Sequence, residues 1–168
     1  MNEMRTENWC GYNIRFVEIK GEWWAILKDI CDALGLRTKD VSQRLHPDML
    51  ERVSVKVSED GSNDLRSRGE NQTRQMLAVN ELGIYEALFA SRRLEARKFR
   101  MWAGTVMKKL RSNVGLEGYE VMRMTEPEIQ EEIDHILDTL YWDETTGKVM
   151  QSVTIWGGDV EQVEFEGI

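Results

Sequence analysis

The sequence has 168 residues, of which 41% are hydrophobic and 31% are charged. This length suits one ordinary domain with an appendage and leaves little room for an enzyme with a separate cofactor domain. The balance of apolar and charged residues is that of a folding chain with a highly charged surface, which argues against wholesale disorder.

The formal net charge of -8 conceals a strong division along the chain. Residues 1–112 hold 20 Lys and Arg against 16 Asp and Glu, a net of +4, whereas the remainder holds 2 against 14, a net of -12. Such asymmetry is typical of a basic module joined to an acidic tail. We therefore predict one domain at 1–112 and an interaction or oligomerisation segment at 113–168.

Composition also suggests a location and a chemistry. The start of the sequence has no apolar signal region, and no run of 18 apolar residues occurs, so we expect a cytoplasmic protein without a membrane partner. Cys10 and Cys31 form no CxxC pair, which favours free thiols. His46 and His135 lie far apart without ligand-type spacing, so we expect no metal and no other cofactor.

The first quarter of the chain predicts a hairpin followed by two short helices. Residues 13–26 alternate apolar and polar positions on either side of Gly21, as a β-hairpin does. Residues 28–34 have helical spacing and stop at Gly35, which suits a left-handed helix end. Thr38 can cap a second short helix that runs through Leu45.

The next stretch predicts two strands and a helix. Residues 52–58 alternate valine with polar residues, as a half-buried strand does, and 59–72 have the composition of a mobile loop. A returning strand is expected at 75–79. Asn80 is a good cap for a helix at 81–90. The apolar side of that helix carries Leu82, Tyr85, Leu88 and Phe89.

Residues 94–111 form the longest helical candidate in the basic module. At about 100° per residue, one face carries apolar residues and the opposite face carries cations. The apolar face comprises Phe99, Trp102, Val106 and Leu110. The cationic stripe comprises Arg92, Arg93, Arg97, Lys98, Arg100, Lys108, Lys109 and Arg111. Guanidinium groups suit bidentate phosphate contacts, although a merely solvated helix face is the alternative.

Residues 29–45 have features of a helix-turn-helix, with apolar and small residues where two crossing helices need them. The second helix would then present polar side chains to phosphates or base edges. These are Arg37, Lys39, Ser42, Gln43 and Arg44. Arg44 stands where an apolar residue is usual, so two short helices packed on a sheet are an equally good interpretation.

The acidic tail predicts a helix that begins around Pro127 and a hairpin at 149–165 folded about Gly157. The helix has an apolar stripe of Ile129, Ile133, Ile136, Leu137 and Leu140. A lone helix and hairpin can scarcely bury such a stripe. We expect it to pack on the basic module, on a second subunit or on another protein, and we expect the tail to screen the cations if that contact is within the chain.

No recognised catalytic pattern occurs in the sequence. It contains no GxGxxG or GxxxxGK[ST] phosphate loop, no HExxH and no GxSxG. We therefore expect a protein that is not an enzyme.

Several segments, taken in order, resemble Bro-N domains. They are Ile14-Arg15-Phe16-Val17, Gly21-Glu22-Trp23-Trp24, the run from Lys28 to Leu36, the run from Asn80 to Tyr85, and Ala96-Arg97-Lys98-Phe99-Arg100-Met101-Trp102. The resemblance covers residues 13–112. It implies an α+β fold, DNA binding and, in phages, antirepression by antagonising a lysogeny repressor.

Two functions follow from these observations. The first is a phage or prophage antirepressor-like regulator whose cationic stripe contacts phosphates and whose second short helix supplies any base readout. The second is a protein-interaction or oligomerisation module without direct DNA binding. The expected partners are accordingly DNA, a phage repressor protein and a second copy of the chain.

Overall fold

The computed structural model describes residues 3–56, 73–155 and 157–165. The chain forms two compact units, Met1–Arg100 and Met101–Ile168. They divide within the long helix α4 (Leu94–Asn113), whereas the sequence-based boundary at residue 113 lies at the end of that helix. Helices and antiparallel sheets occur in both units, and this confirms the predicted α+β class.

The first unit is built on a five-stranded sheet in which every neighbouring pair is antiparallel, in the order β1-β2-β3-β5-β4. The strands are β1 (Met4–Trp9), β2 (Tyr12–Ile19), β3 (Glu22–Ile26), β4 (Leu50–Lys56) and β5 (Thr73–Val79). The predicted hairpin is confirmed as β2-β3, which turns at Lys20 and Gly21, both with positive φ. Strand β1, which extends the hairpin, was not predicted.

Three helices accompany the sheet in this unit: α1 (Leu27–Leu34), α2 (Thr38–Arg44) and α3 (Glu81–Ala90), with a 3-10 turn at Pro47–Met49. Gly35 ends α1 at a φ of 66°, as predicted. Asn80 caps α3 as predicted, since its side chain accepts a hydrogen bond from the Gly83 amide at 3.0 Å. The predicted cap at Thr38 is wrong, because Thr38 is the first residue of α2 and Arg37 occupies the cap position.

Apolar side chains cover both faces of the sheet. On one face, Ala25 and Val79 pack with Leu27, Ile30 and Cys31 of α1 in the main core. On the other face a second cluster joins Val17, Ile26, Val53, Val55 and Ala78. One cavity of about 530 Å³ is lined by side chains of β1, β2 and β4. Because β4 is not next to β1 or β2 in the strand order, the sheet must curl around the second cluster. The predicted loop at 59–72, like Val57, lies outside the described residues.

Helix α3 is rotated relative to the sequence-based prediction. Its buried positions are Gly83 and Ala87, whereas Leu82 is 60% exposed and Phe89 52% exposed. Gly83 packs so closely that an added Cβ would overlap Val79 Cγ2. The small residues therefore allow α3 to approach the sheet. Ile84 and Leu88 pack at the margin of the main core, whereas Leu82 and Phe89 remain outside.

The second unit contains the end of α4, a 3-10 helix at Gly118–Thr125, α5 (Pro127–Asp138) and a three-stranded antiparallel sheet. Its strands are β6 (Leu140–Asp143), β7 (Lys148–Thr154) and β8 (Val160–Glu164). Pro127 opens α5 as predicted, and β7-β8 is the predicted hairpin. Strand β6 was not predicted. No helix among the described residues has the length and apolar character needed to cross a membrane.

The apolar face predicted for α4 is only partly buried. Leu110 belongs to the core of the second unit, and Val106 packs at its margin. In the first unit, Phe99 packs on α3, where its ring stacks on Tyr85 with centroids 6.0 Å apart. Trp102 is 58% exposed, so the expectation that its ring is buried is wrong.

Gly83→Ala should lower stability although alanine is the better helix former, because the added methyl group collides with Val79. The expected loss is about 1 to 3 kcal/mol. The matched control is Gly104→Ala in α4, where the added Cβ meets no atom of the described residues within 4 Å apart from its own helix backbone and chain neighbours, and a gain of up to about 1 kcal/mol is expected. Thermal unfolding of both variants measures the difference, and an equal stabilisation by both would contradict the close packing of α3.

Candidate nucleic-acid interface

The candidate site lies where the turn between α1 and α2 meets the link between α3 and α4. Ser91, in that link, is 1% exposed. Its hydroxyl donates a hydrogen bond to the Leu34 carbonyl at 2.8 Å and accepts one from the Arg93 amide at 3.2 Å. These contacts fix the start of α4 against the end of α1.

Arg92 and Arg93 lie beside this turn. Together with Leu34, Gly35, Leu36 and Ala90 they line a cavity of about 400 Å³. Arg93 is held in place, since it donates to the Tyr12 hydroxyl at 2.9 Å and its guanidinium carbon lies 5.1 Å from the Tyr12 ring centroid. Arg92 is exposed, and no ion pair engages it among the described residues. The structure thus brings two of the predicted cations next to the predicted helix-turn-helix.

The predicted polar residues of the second short helix face solvent. Lys39, Gln43 and Arg44 are all exposed on α2. Arg37 forms an ion pair with Asp40 at 2.7 Å, yet its side chain remains 85% exposed. Val41 and Leu45 are buried on the opposite side of the helix. Leu45 therefore takes the apolar position at which the sequence pattern has Arg44. This helix keeps one core face and one polar face, as an amphipathic surface helix does.

Within the first unit, the start of α4 adds further positive charge. Arg97 and Lys98 are exposed, and neither takes part in an ion pair among the residues the structure describes. Glu95 is the acidic residue of the first turn. The exposed cations of the α3–α4 link and of the first turns of α4 are therefore Arg92, Arg97 and Lys98, which we call the basic surface.

Arg100 does not belong to the basic surface, and its predicted place on the polar face is corrected. Its Nη1 donates to the carbonyls of Leu88 at 3.0 Å and Phe89 at 3.3 Å and also to that of Ser91. These carbonyls end α3, where a cation is also favoured by the helix dipole. Arg100 thus closes α3 and positions the link that carries Arg92.

In the second unit, the predicted stripe divides again. Lys108 and Lys109 are exposed and line a cavity of about 660 Å³ with Gln151, Glu164 and Phe165. Arg111 is 9% exposed and donates to the Leu116 carbonyl, so the assumption that it faces solvent is wrong. The carboxylate of Glu164, a residue of the acidic tail, pairs with Lys148 at 2.6 Å.

Two of the five residues of the predicted apolar stripe of the tail are buried inside its own unit. Ile129 and Ile133 are buried with Leu110 and Leu116. Ile136 is partly buried and Leu137 is 41% exposed. Leu140 is not on the helix, because α5 ends at Asp138 and Leu140 starts β6. We expected the whole stripe to need a partner outside the tail, and this is corrected for Ile129 and Ile133.

Sequence reasoning identified the apolar side chains of α3 but not their exposure to solvent. Leu82 and Phe89 are exposed there, with Tyr85 stacked on Phe99. A signal existed in the sequence, since α3 is apolar on more than one side and carries small residues at Gly83 and Ala87. The described residues include no group of three or more His, Cys, Asp or Glu side chains that could hold a metal ion.

Comparison with protein-family models defines the class of this module. The BRO family N-terminal domain, Bro-N, matches residues 13–107, which is more than half of the chain. The chain therefore belongs to the Bro-N family. Bro-N domains are associated with phage antirepressors and DNA-binding regulators. No curated protein and no solved structure gave a significant match.

Arg100→Ala should destabilise the first unit, because three carbonyls at the end of α3 lose a charged donor. The expected loss is about 1 to 3 kcal/mol. Arg97→Ala removes the same kind of side chain from an exposed position one turn earlier and should change stability by less than about 0.5 kcal/mol. Urea unfolding compares the two variants, and an equal effect would show that Arg100 does not close α3.

Proposed function

We propose that this protein is a phage or prophage regulator of the antirepressor type, which acts in the cytoplasm, binds DNA and antagonises a phage repressor at the lysogenic-lytic switch. Membership of the Bro-N family supports the class of regulator. The observation that carries the DNA-binding part is the basic surface, where Arg92, Arg97 and Lys98 are exposed and form no ion pair among the described residues. Arg92 lies beside the α1–α2 turn.

The proposed division of labour follows the chemistry of the two elements. The basic surface contacts phosphates, which sets the position of the protein on the duplex without reading sequence. Helix α2 presents Lys39, Gln43 and Arg44, whose amide and cationic groups suit hydrogen bonding to base edges in the major groove. Residues 1–112 carry a net charge of +4 and the remainder -12, so positive charge is concentrated in the part of the chain that precedes the acidic tail.

A protein-binding function without direct DNA contact is the second candidate. The exposed apolar side chains of α3 favour it, since Leu82 and Phe89 lie on the same helix as Tyr85 in one unit. Contiguous exposed apolar surface marks contact sites for proteins more often than for nucleic acids. A repressor is the partner that this function implies. Both functions are compatible in one antirepressor.

Salt-titrated binding to a short DNA duplex, followed by fluorescence anisotropy, tests the DNA-binding part. The intact chain should show a steep fall in affinity as salt rises, because phosphate contacts release counterions. The triple substitution Arg92→Ala, Arg97→Ala, Lys98→Ala should weaken binding and reduce the slope of log affinity against log salt. The expected reduction is about 0.9 for each phosphate that the variant no longer neutralises.

The matched control removes the same charge elsewhere. Arg52, Lys56 and Arg74 are exposed on β4 and β5, and replacing all three by alanine lowers the net charge equally. This control should retain most of the affinity and slope. If both triple variants lose affinity equally, the interaction is a general charge effect and the basic surface is not the site. If the intact chain shows no salt-dependent binding, the protein-binding function is favoured instead.

A further inference from the structure

Strand β1 forms one edge of the five-stranded sheet. Its inner side pairs with β2 along all six residues, from Met4 opposite Val17 to Trp9 opposite Tyr12. No strand of the described residues pairs with its outer side. The strand contains neither proline nor lysine and its pairing shows no bulge, so three of the usual devices that protect an edge from a further strand are absent. Its charged residues are one basic and one acidic side chain, Arg5 and Glu7.

The turn of the hairpin determines which backbone groups point outward. Cys10 and Gly11 form a two-residue turn, both with positive φ. The Glu3 carbonyl accepts a hydrogen bond from the Glu18 amide at 3.0 Å. Because hydrogen-bonded and non-bonded residues alternate in an antiparallel pair, the odd-numbered residues bond to β2. The amides and carbonyls of Met4, Thr6 and Asn8 therefore point outward.

The charges of β1 are self-complementary about Thr6. Arg5 and Glu7 flank this residue, and both are exposed. When two copies of β1 run antiparallel with Thr6 opposite Thr6, the outward groups of Met4, Thr6 and Asn8 meet those of Asn8, Thr6 and Met4. In the same register each Arg5 lies opposite Glu7 of the second copy, in the non-bonded position where side chains are closest.

Neighbouring registers that keep the same backbone bonding are opposed by charge. A shift in one direction places Arg5 opposite Arg5, and a shift in the other places Glu7 opposite Glu7. The contact that Arg5 makes with Glu3 within one chain, at 3.2 Å, joins side chains that are 62% and 57% exposed. Arg5 also lies over the Trp23 ring, with its guanidinium carbon 5.0 Å from the ring centroid. Exposed contacts of these two kinds each contribute about 1 kcal/mol or less, so they do not prevent Arg5 from pairing across an interface.

We propose that this protein dimerises through β1, which pairs with β1 of a second copy in the register centred on Thr6 and joins the two sheets into one. The contact is isologous, as a two-fold dimer requires. It is independent of the tail and of DNA binding. A dimer of this kind would present two copies of the candidate interface to one partner.

Charge exchange tests the register on the full chain. Arg5→Glu and Glu7→Arg each place like charges opposite each other twice, and each should raise the dimer dissociation constant roughly tenfold or more. The double variant Arg5→Glu, Glu7→Arg restores two opposite pairs and should dimerise like the natural chain. An equimolar mixture of the two single variants should form a mixed dimer for the same reason. Sedimentation velocity measures all four samples.

Thr6→Pro provides a second, backbone-based test. Proline removes an amide that points away from β2, so the hairpin keeps its ladder while the centre of the proposed interface loses a donor. Thr6→Val is the matched control and should leave the dimer intact. A monomeric natural chain would overturn the proposal, and so would a dimer that both single charge variants and Thr6→Pro leave unchanged. Loss of dimer in those variants, with rescue in the exchanged double variant, would support it.

Discussion

The buried hydroxyl of Ser91 holds the candidate interface together. It joins the end of α1 to the start of α4 across 57 residues of sequence, through the Leu34 carbonyl at 2.8 Å. A buried polar group must keep its partners, because leaving the carbonyl unbonded costs about 1 to 3 kcal/mol. Arg93 reinforces the junction through Tyr12 of β2. The positions of Arg92 on the link and of Gly35 in the α1–α2 turn both follow from this contact.

Some cations of this module bond to other groups inside the fold and others remain exposed. A helical projection of the sequence does not distinguish the two kinds. Arg15 makes a bidentate pair with Asp29, Arg93 bonds to Tyr12, and Arg100 closes α3. The hydrogen bond with Asp29 raises the pKa of Arg15 above its ordinary value. These guanidinium groups are used inside the fold, where their rigid fork of donors satisfies several acceptors at once. Arg92, Arg97 and Lys98 remain exposed and are the cations of this surface that we propose for phosphate contact.

Local signals in the sequence were sufficient for most of the secondary structure. Gly35, Asn80 and Pro127 mark helix ends through backbone conformation and capping, which need no tertiary information. The orientation of α3 was not predictable in this way, because Gly83 faces the core for reasons of space rather than hydrophobicity. Strand β1 has mostly polar, exposed residues and shows no alternation, so only its pairing with β2 makes it a strand. The roles of Arg100 and Arg111 likewise depend on carbonyls that only the fold brings near.

Backbone amide shifts of the isotopically labelled protein, titrated with a short DNA duplex, test the central claim most directly, since they locate the contact without any substitution. The account predicts that the largest shifts fall in the α1–α2 turn, in α2 and in the stretch from Ser91 to Lys98. Smaller shifts are expected in β6, β7 and β8. Shifts confined to the second unit, or none at all at a salt concentration where phosphate contacts are strong, would contradict the assignment of the interface.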